Sequence, residues 1–375
     1  MAFNEKYVTV TGGGLHDGSS EANAWTLAEA VSGVTSNDRL NMKAGTYTLT
    51  SIAGFTTSGS VTSPIALRGY KSTIGDQDYT GLQRVAGTDI PLVVASSSSR
   101  RWYILGDYWH MENVATKNDS TYDFPFQFSA AFGQVRRCQF ESVSEKMSCR
   151  FADDRIVVED CYFKGNTGTT SLYSTNVYTQ NSQVFFYGCV FEGGVYGVRK
   201  ANEFISFNNC FFEGQTTAAV SGSFYGMASG FVNNTFYNIS GDAIQAEVNS
   251  ISAGPITIRN NVFSDITGTA INNTNSSNVG LFPTGNLFHN CGTNINSDSY
   301  ALSRNSVTDT SSPFTDPSGG DYSLVSSSNG YNAGEPKPYE GLDANTNKDI
   351  GAFQQPAPSG GGGFRRITFQ GGLNG

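Results

Sequence analysis

Two short stretches gather the charged side chains that could do chemistry. SEKMSCRFADDR (144–155) brings Glu145, Lys146, Arg150, Asp153, Asp154 and Arg155 together, and VRKANEF (198–204) adds Arg199, Lys200 and Glu203. Carboxylates beside a basic group can pass a proton to or from a substrate when their surroundings shift their pKa values. Glu192 and Glu213 are a different kind of candidate, since each follows a Phe in the same phrase, FEG. Stacked carboxylates repel unless a cation or a basic neighbour intervenes, which makes this pair the candidate metal ligands. The plain alternative for all of these groups is solvating charge on outer turns, with weak pairing. The three histidines, His16, His110 and His289, are scattered, and the six cysteines form no CxxC pair, so a zinc site is not expected. His110 in YWHMEN has no spaced Ser or Asp to serve it and is expected to pack beside Trp109.

The elements that must position these groups show up as a repeat. Cys138-Gln139-Phe140, Cys161-Tyr162-Phe163, Cys189-Val190-Phe191 and Cys210-Phe211-Phe212 share one frame, and Asn234-Thr235-Phe236, Asn261-Val262-Phe263 and Asn286-Leu287-Phe288 continue it. The intervals between the Phe residues are 23, 28, 21, 24, 27 and 25. Periods of this size mark solenoids. Each unit carries short alternating strands, as in SQVFFYGCVFEGGVYGV (182–198), with no helical period.

Successive rungs of such a coil stack about 4.8 Å apart, so equivalent residues become vertical neighbours. Cys and Phe, two apart, face one side of a strand, and both are expected inside. The column begins as thiols and becomes amides at Asn234. An Asn ladder can satisfy its own amides, and Cys is a small apolar filler for the same slot. Thiols on adjacent rungs, roughly 5 Å apart, could bridge, but inert packing is the expectation. EANAWTLAEAVSGV (21–34) is the one expected helix, lying across the N-terminal end.

Composition agrees. Gly accounts for 43 of 375 residues, 15% are charged and 13% aromatic, which suits an ordered β protein with tight turns. A formal charge of −9 with no basic run argues against a nucleic-acid partner. No stretch approaches the ~18 apolar residues of a membrane-spanning helix. The opening MAFNEKYVTVTGGG has no basic and apolar leader, so no secretory signal and first folding in a cytosol are expected.

GTYTL, SPIALRGY, GDYWHMENV and the NNxF rungs resemble the right-handed parallel β-helix family of the pectate-lyase-like superfamily over roughly residues 5–354. The resemblance implies an all-β, right-handed, single-stranded parallel β-helix with a short N-terminal capping helix. Its layout would be an N-terminal cap and first coil at 1–50, the β-helix at 51–310, terminal coils at 311–354, and a Pro/Gly-rich linker and arm at 355–375. It also implies two chemistries: lyases of this fold use Ca²⁺-binding carboxylates with a Lys or Arg base, and glycosidases use two carboxylates about 5–9 Å apart. Ca²⁺ is the one cofactor implied, and only for a lyase.

The tail PAPSGGGGFRRITFQGGLNG (356–375) carries Phe364, Arg365, Arg366, Ile367 and Phe369 between glycine runs, an arm able to add a strand to another chain. Such endings resemble those of tailed-bacteriophage structural proteins. The first expectation is therefore a non-catalytic virion protein, capsid decoration or tail-associated, made in a host cytoplasm. Its partners would be two further copies in a homotrimer and other virion proteins. The alternatives are a polysaccharide lyase or glycoside hydrolase of tailspike type, and a carbohydrate-binding adhesin whose exposed tyrosines stack on cell-surface polysaccharide.

Overall fold

The computed structural model describes residues 3–76, 86–95, 101–119, 126–143, 146–166, 175–180, 183–201, 204–223, 229–247, 256–274, 281–296, 305–334 and 349–352. They form a parallel β-solenoid, divided into two compact units at Phe185/Phe186.

In the first unit each coil contributes up to three short strands, one to each of three faces. The first face stacks Asn4–Val8, Asp38–Lys43, Ile65–Tyr70, Trp109–Glu112, Gln134–Arg136 and Ile156–Glu159 in parallel. Its inward column runs Leu40, Leu67, Met111, Val135, Val158, all buried. The second face includes Thr46–Thr48, Leu92–Ala95, Ala115–Asn118, Gln139–Ser142 and Tyr162–Gly165. The third face holds Ala53–Phe55, Trp102–Ile104, Phe126–Phe128, Cys149–Phe151 and Thr175–Gln180.

The second unit repeats this order. Ile205–Asn208, Gly230–Val232, Ile256–Arg259 and Leu281–Thr284 make its first face. Its second face carries the Phe column: Phe191, Phe212, Phe236, Phe263 and Phe288 stack in register, with successive centroids 4.5, 4.8, 4.9 and 5.3 Å apart. In the first unit Phe140 and Phe163 stack in the same way at 5.0 Å. Rings two rungs apart could not touch, so the period read from the sequence is the period of the coil.

The residue before each Cys or Asn of the frame turns the chain from the first face to the second. Arg137 and Asp160 in the first unit, and Asn209, Asn233 and Asn260 in the second, have φ between 51° and 55°, Gly188 and Gly285 have φ of 60°, and Asn113 holds the same place before Val114 at 56°. Left-handed backbone costs an L-residue about 1–2 kcal/mol, least for Asn and Asp, so NN and NC are turn-and-ladder pairs. The ladder position then completes the turn's hydrogen bonding. Asn261 Oδ1 accepts from Asn234 N and Nδ2, both at 2.9 Å, and Asn286 Oδ1 accepts from Asn261 N and Nδ2, both at 3.0 Å.

Cysteine does the same work in addition to the packing expected of it. Cys161 Sγ accepts from Cys138 N at 3.4 Å and donates toward Glu159 O at 3.2 Å. All six thiols are free, and no disulfide closes the column.

The expected helix is shorter than its segment. Thr26 caps Leu27–Gly33 through a capping box with Glu29, and Glu21–Asn23 is a separate 3₁₀ turn. In the second unit, Phe314–Asp316 and Asp321–Leu324 pair as an antiparallel hairpin. Phe314, Leu324 and Ile350 cluster with Val262 and Leu287 on the outside of its second face.

Candidate functional site

Arg150 lies on the third face of the first unit and points outward. Its register neighbours form one outer column, Gly54, Tyr103, Gln127, Arg150, Tyr178, at the strand spacing. The Tyr103 ring fills the space above Gly54, and a Cβ there would lie 2.0 Å from it. A side chain at residue 54 would expel the ring from the sheet surface. The Arg101 guanidinium lies 5.1 Å from the same ring, and Gln127 Nε2 donates to Ser129 Oγ at 2.7 Å. The row thus sets two planar donors, Gln127 and Arg150, between two tyrosines, a set suited to sugar rings and their carboxylates.

The turns leaving this face carry the acids. In three coils the left-handed turn residue is Tyr108, Phe132 or Arg155, with φ of 57°, 57° and 60°. They stack outside the coil: the Tyr108 and Phe132 rings are 5.0 Å apart and nearly parallel, and the Arg155 guanidinium lies 4.9 Å from Phe132. Large side chains in this backbone region carry strain, which concentrates at functional sites. Asp107 precedes Tyr108, and Asp153 and Asp154 precede Arg155. Asp107 Oδ1 accepts from Ala131 N at 3.2 Å, bracing one turn against the next.

Burial raises the pKa of Asp153, and the charges of Asp107 and Asp154 push it further up, against the 2.8 Å hydrogen bond that Asp153 Oδ1 accepts from Asp154 N. Asp107 was not legible as a partner, because 46 residues and two coils separate it from Asp153.

The second unit holds the other sequence candidates. Arg199 points outward from Tyr196–Ala201 and heads a polar column, Arg199, Ser221, Gln245, Asn272, Asn296, in which Ser221 Oγ donates to Gln245 Oε1 at 2.8 Å. The side chain of Lys200, and Glu145, Glu203 and the arm residues Phe364, Arg365, Arg366, Ile367 and Phe369, lie outside the described residues.

Glu192 and Glu213 are register neighbours on the outer second face. Tyr322 of the hairpin covers Glu213, donating to Oε1 at 3.0 Å, while its ring packs 4.4 Å from Phe211. Burial raises the pKa of Glu213, the Tyr322 hydrogen bond opposes, and Glu192 adds to the rise. Among the described residues no three His, Cys, Asp or Glu side chains are grouped to hold a metal ion.

His110 and Trp109 do not pack side by side: Trp109 is buried inside the coil and His110 faces outward on the first face. A Ser–His–Asp contact at His289 was not expected from the spacing of these residues. Ser264 Oγ lies 2.9 Å from His289 Nδ1 and donates to Asp265 Oδ2 at 2.9 Å. Ser264 is fully buried, so the hydroxyl links these groups and no substrate can reach it.

No protein-family model matches the sequence, and no curated protein does. Solved structures do. The pectate lyase Pel9A superposes with a TM-score of 0.63 at 14% identity, over 94% of this chain and 96% of its own. A rhamnogalacturonan lyase superposes with a TM-score of 0.61 at 13% identity, over 83% of this chain and 90% of its own. At such identities the likeness is one of fold. The chain has the parallel β-helix architecture of pectate-lyase-like proteins.

Proposed function

We propose that the protein cleaves an acidic polysaccharide lying along the third face of its first unit. Asp153 is the general acid, and Arg150 is the group that meets a substrate carboxylate. One observation carries this reading: Asp153 is held toward its protonated form by burial and two neighbouring aspartates, on a turn that borders the row Tyr103, Gln127, Arg150, Tyr178. A carboxyl group biased toward its acid form, with further carboxyl groups nearby, is the division of labour that glycosidic hydrolysis needs. The acid protonates the leaving oxygen, and Asp107 or Asp154 activates water on the opposite side of the sugar.

The substrate class follows from the guanidinium and the aromatic neighbours, and from an architecture shared with a pectate lyase and a rhamnogalacturonan lyase. The arm on which the reading as a bacteriophage virion protein draws in part, residues 356–375, lies outside the described residues.

The test is a panel of acidic polysaccharides assayed for new reducing ends and for unsaturated-uronate absorbance. Reducing ends without that absorbance are expected, falling by at least about 10²-fold in Asp153→Asn. Arg150→Ala should act mainly on KM. Unsaturated products that survive Asp153→Asn would replace hydrolysis by elimination. No cleavage of any acidic glycan by folded protein would overturn the proposal.

A further inference from the structure

On the first face of the first unit the outward columns stay charged, as in the run Arg68, Glu112, Arg136, Glu159. The same face of the second unit departs from that habit. One outward column reads Ser206, Gly230, Thr257, Phe282, and the next reads Asn208, Val232, Arg259, Thr284. These positions carry one charge, that of Arg259, and no carboxylate. Phe186 stacks on Phe207 at 5.0 Å, which sets Tyr187 one rung before Asn208 in the second column.

The strip is aromatic at its two ends. Tyr187 and Phe282 are both exposed, and four strand spacings, about 19 Å, separate their rungs. Between them the side chains are short apart from Arg259, and at Gly230 there is none. A Cβ there would meet only Ser206 Oγ, at 3.6 Å, so the space above that rung is open. Asn208 Nδ2 donates to Ser206 Oγ at 3.0 Å, which fixes the amide on the surface. Arg259 is half-buried. Its Nε is shielded from solvent and donates to nothing, and no carboxylate pairs with its guanidinium, among the described residues. A shielded donor with no acceptor, on the one cation of the strip, calls for an anion from outside. The strip is about 19 Å long and two columns wide, far below the roughly 800 Å² per partner of a stable protein interface.

We infer that this strip binds an acidic oligosaccharide laid along the stack, roughly one ring per rung. A sugar carboxylate meets Arg259, rings pack on Tyr187 and Phe282, and hydroxyls meet Ser206, Asn208 and Thr257. The strip belongs wholly to the second unit and uses no residue of the cleavage row, so it stands whether or not the chain is an enzyme.

Tetragalacturonate is the probe, with its carboxyl-reduced form as the neutral control. The full chain carries Arg150→Ala and Asp153→Asn, so that the first unit neither holds nor consumes it. Calorimetric titration should show saturable binding of the acidic tetramer alone, weakened by added salt. Adding Arg259→Gln should weaken it about tenfold, as a charge-assisted hydrogen bond becomes neutral. Gly230→Val keeps every charge, suits a strand, fills the floor and should abolish binding. Unchanged affinity in either variant overturns the inference, as does equal binding of the reduced tetramer. So does inorganic sulfate binding as tightly as the tetramer, since Arg259 would then read charge alone. Self-association of the unliganded chain that Phe282→Ser abolishes would give the strip to a protein partner and also overturn it. If Gly230→Val does not fold, Arg259→Gln decides. Wild-type protein that cleaves no acidic glycan, yet binds the tetramer through Arg259, would fail the proposed hydrolysis and uphold this site.

Discussion

Truncating Asn261 is the sharpest test of how the coil is held together. Its side chain makes four hydrogen bonds: Oδ1 accepts from Asn234 N and Nδ2 at 2.9 Å each, and Nδ2 donates to Phe231 O and Asn286 Oδ1 at 3.0 Å each. The neighbours differ in what they keep after Asn261→Ala. Asn234 Nδ2 retains Phe207 O at 3.1 Å, and Asn286 Oδ1 retains the Asn261 backbone N–H at 3.0 Å. The Asn234 backbone N–H retains nothing that the fold provides. One orphaned buried donor costs about 1–3 kcal/mol, and the three remaining lost bonds about 0.5–1.5 kcal/mol each, so the total should be about 2.5–7.5 kcal/mol.

Asn261→Cys should cost about half as much, because a thiol already accepts the equivalent N–H at Cys161, from Cys138 at 3.4 Å. Urea denaturation followed by circular dichroism measures both losses. Native-state hydrogen exchange should show the Asn234 amide losing protection first. Equal losses for Ala and Cys would refute the claim that the two residue types do one job. A loss below about 1 kcal/mol for Ala would refute the ladder itself.

Other outcomes follow from the same geometry. Phe212→Ala should cost about 3–5 kcal/mol, since the ring stacks between Phe191 and Phe236 and meets the edge of Phe207; a loss under about 1 kcal/mol in the same denaturation would place it outside the core. Glu213→Gln should raise the melting temperature at neutral pH. The folded state raises the pKa of Glu213, so wild-type stability is fullest below the unfolded carboxylate pKa and falls as pH rises through the folded one. The advantage of the Gln variant should therefore vanish on acidification, and an advantage independent of pH would show that charge is not its cause.

The fold was legible where columns are internal. Phe191, Phe212, Phe236, Phe263 and Phe288 must recur because each ring stacks on the rings above and below, and a missing one leaves a cavity. At Asn209, Asn233 and Asn260 the turn residue was visible as the first letter of NC or NN, but its role was not. Composition shows that Asn is frequent, whereas only the backbone shows that these asparagines sit at positive φ. The candidate site was legible in part. Arg150, Asp153 and Asp154 stand in one charged stretch, and a charged stretch can be seen without knowing the coil. Tyr103, Gln127 and Asp107 could not be joined to them, since coil lengths vary and lateral register depends on every turn between.

That asymmetry says where function should be sought in a solenoid. An inward position answers to its vertical neighbours, so its residue type is explained once the column is known. An outward position has no such duty, and a long, well-hydrated side chain satisfies it. Departures from that default therefore need another cause. Tyrosine and phenylalanine at the left-handed turn positions 108 and 132 are strained where Asn would be relaxed. Folding alone does not explain that choice, and the Phe132 ring is exposed at the surface, where the proposed substrate would lie.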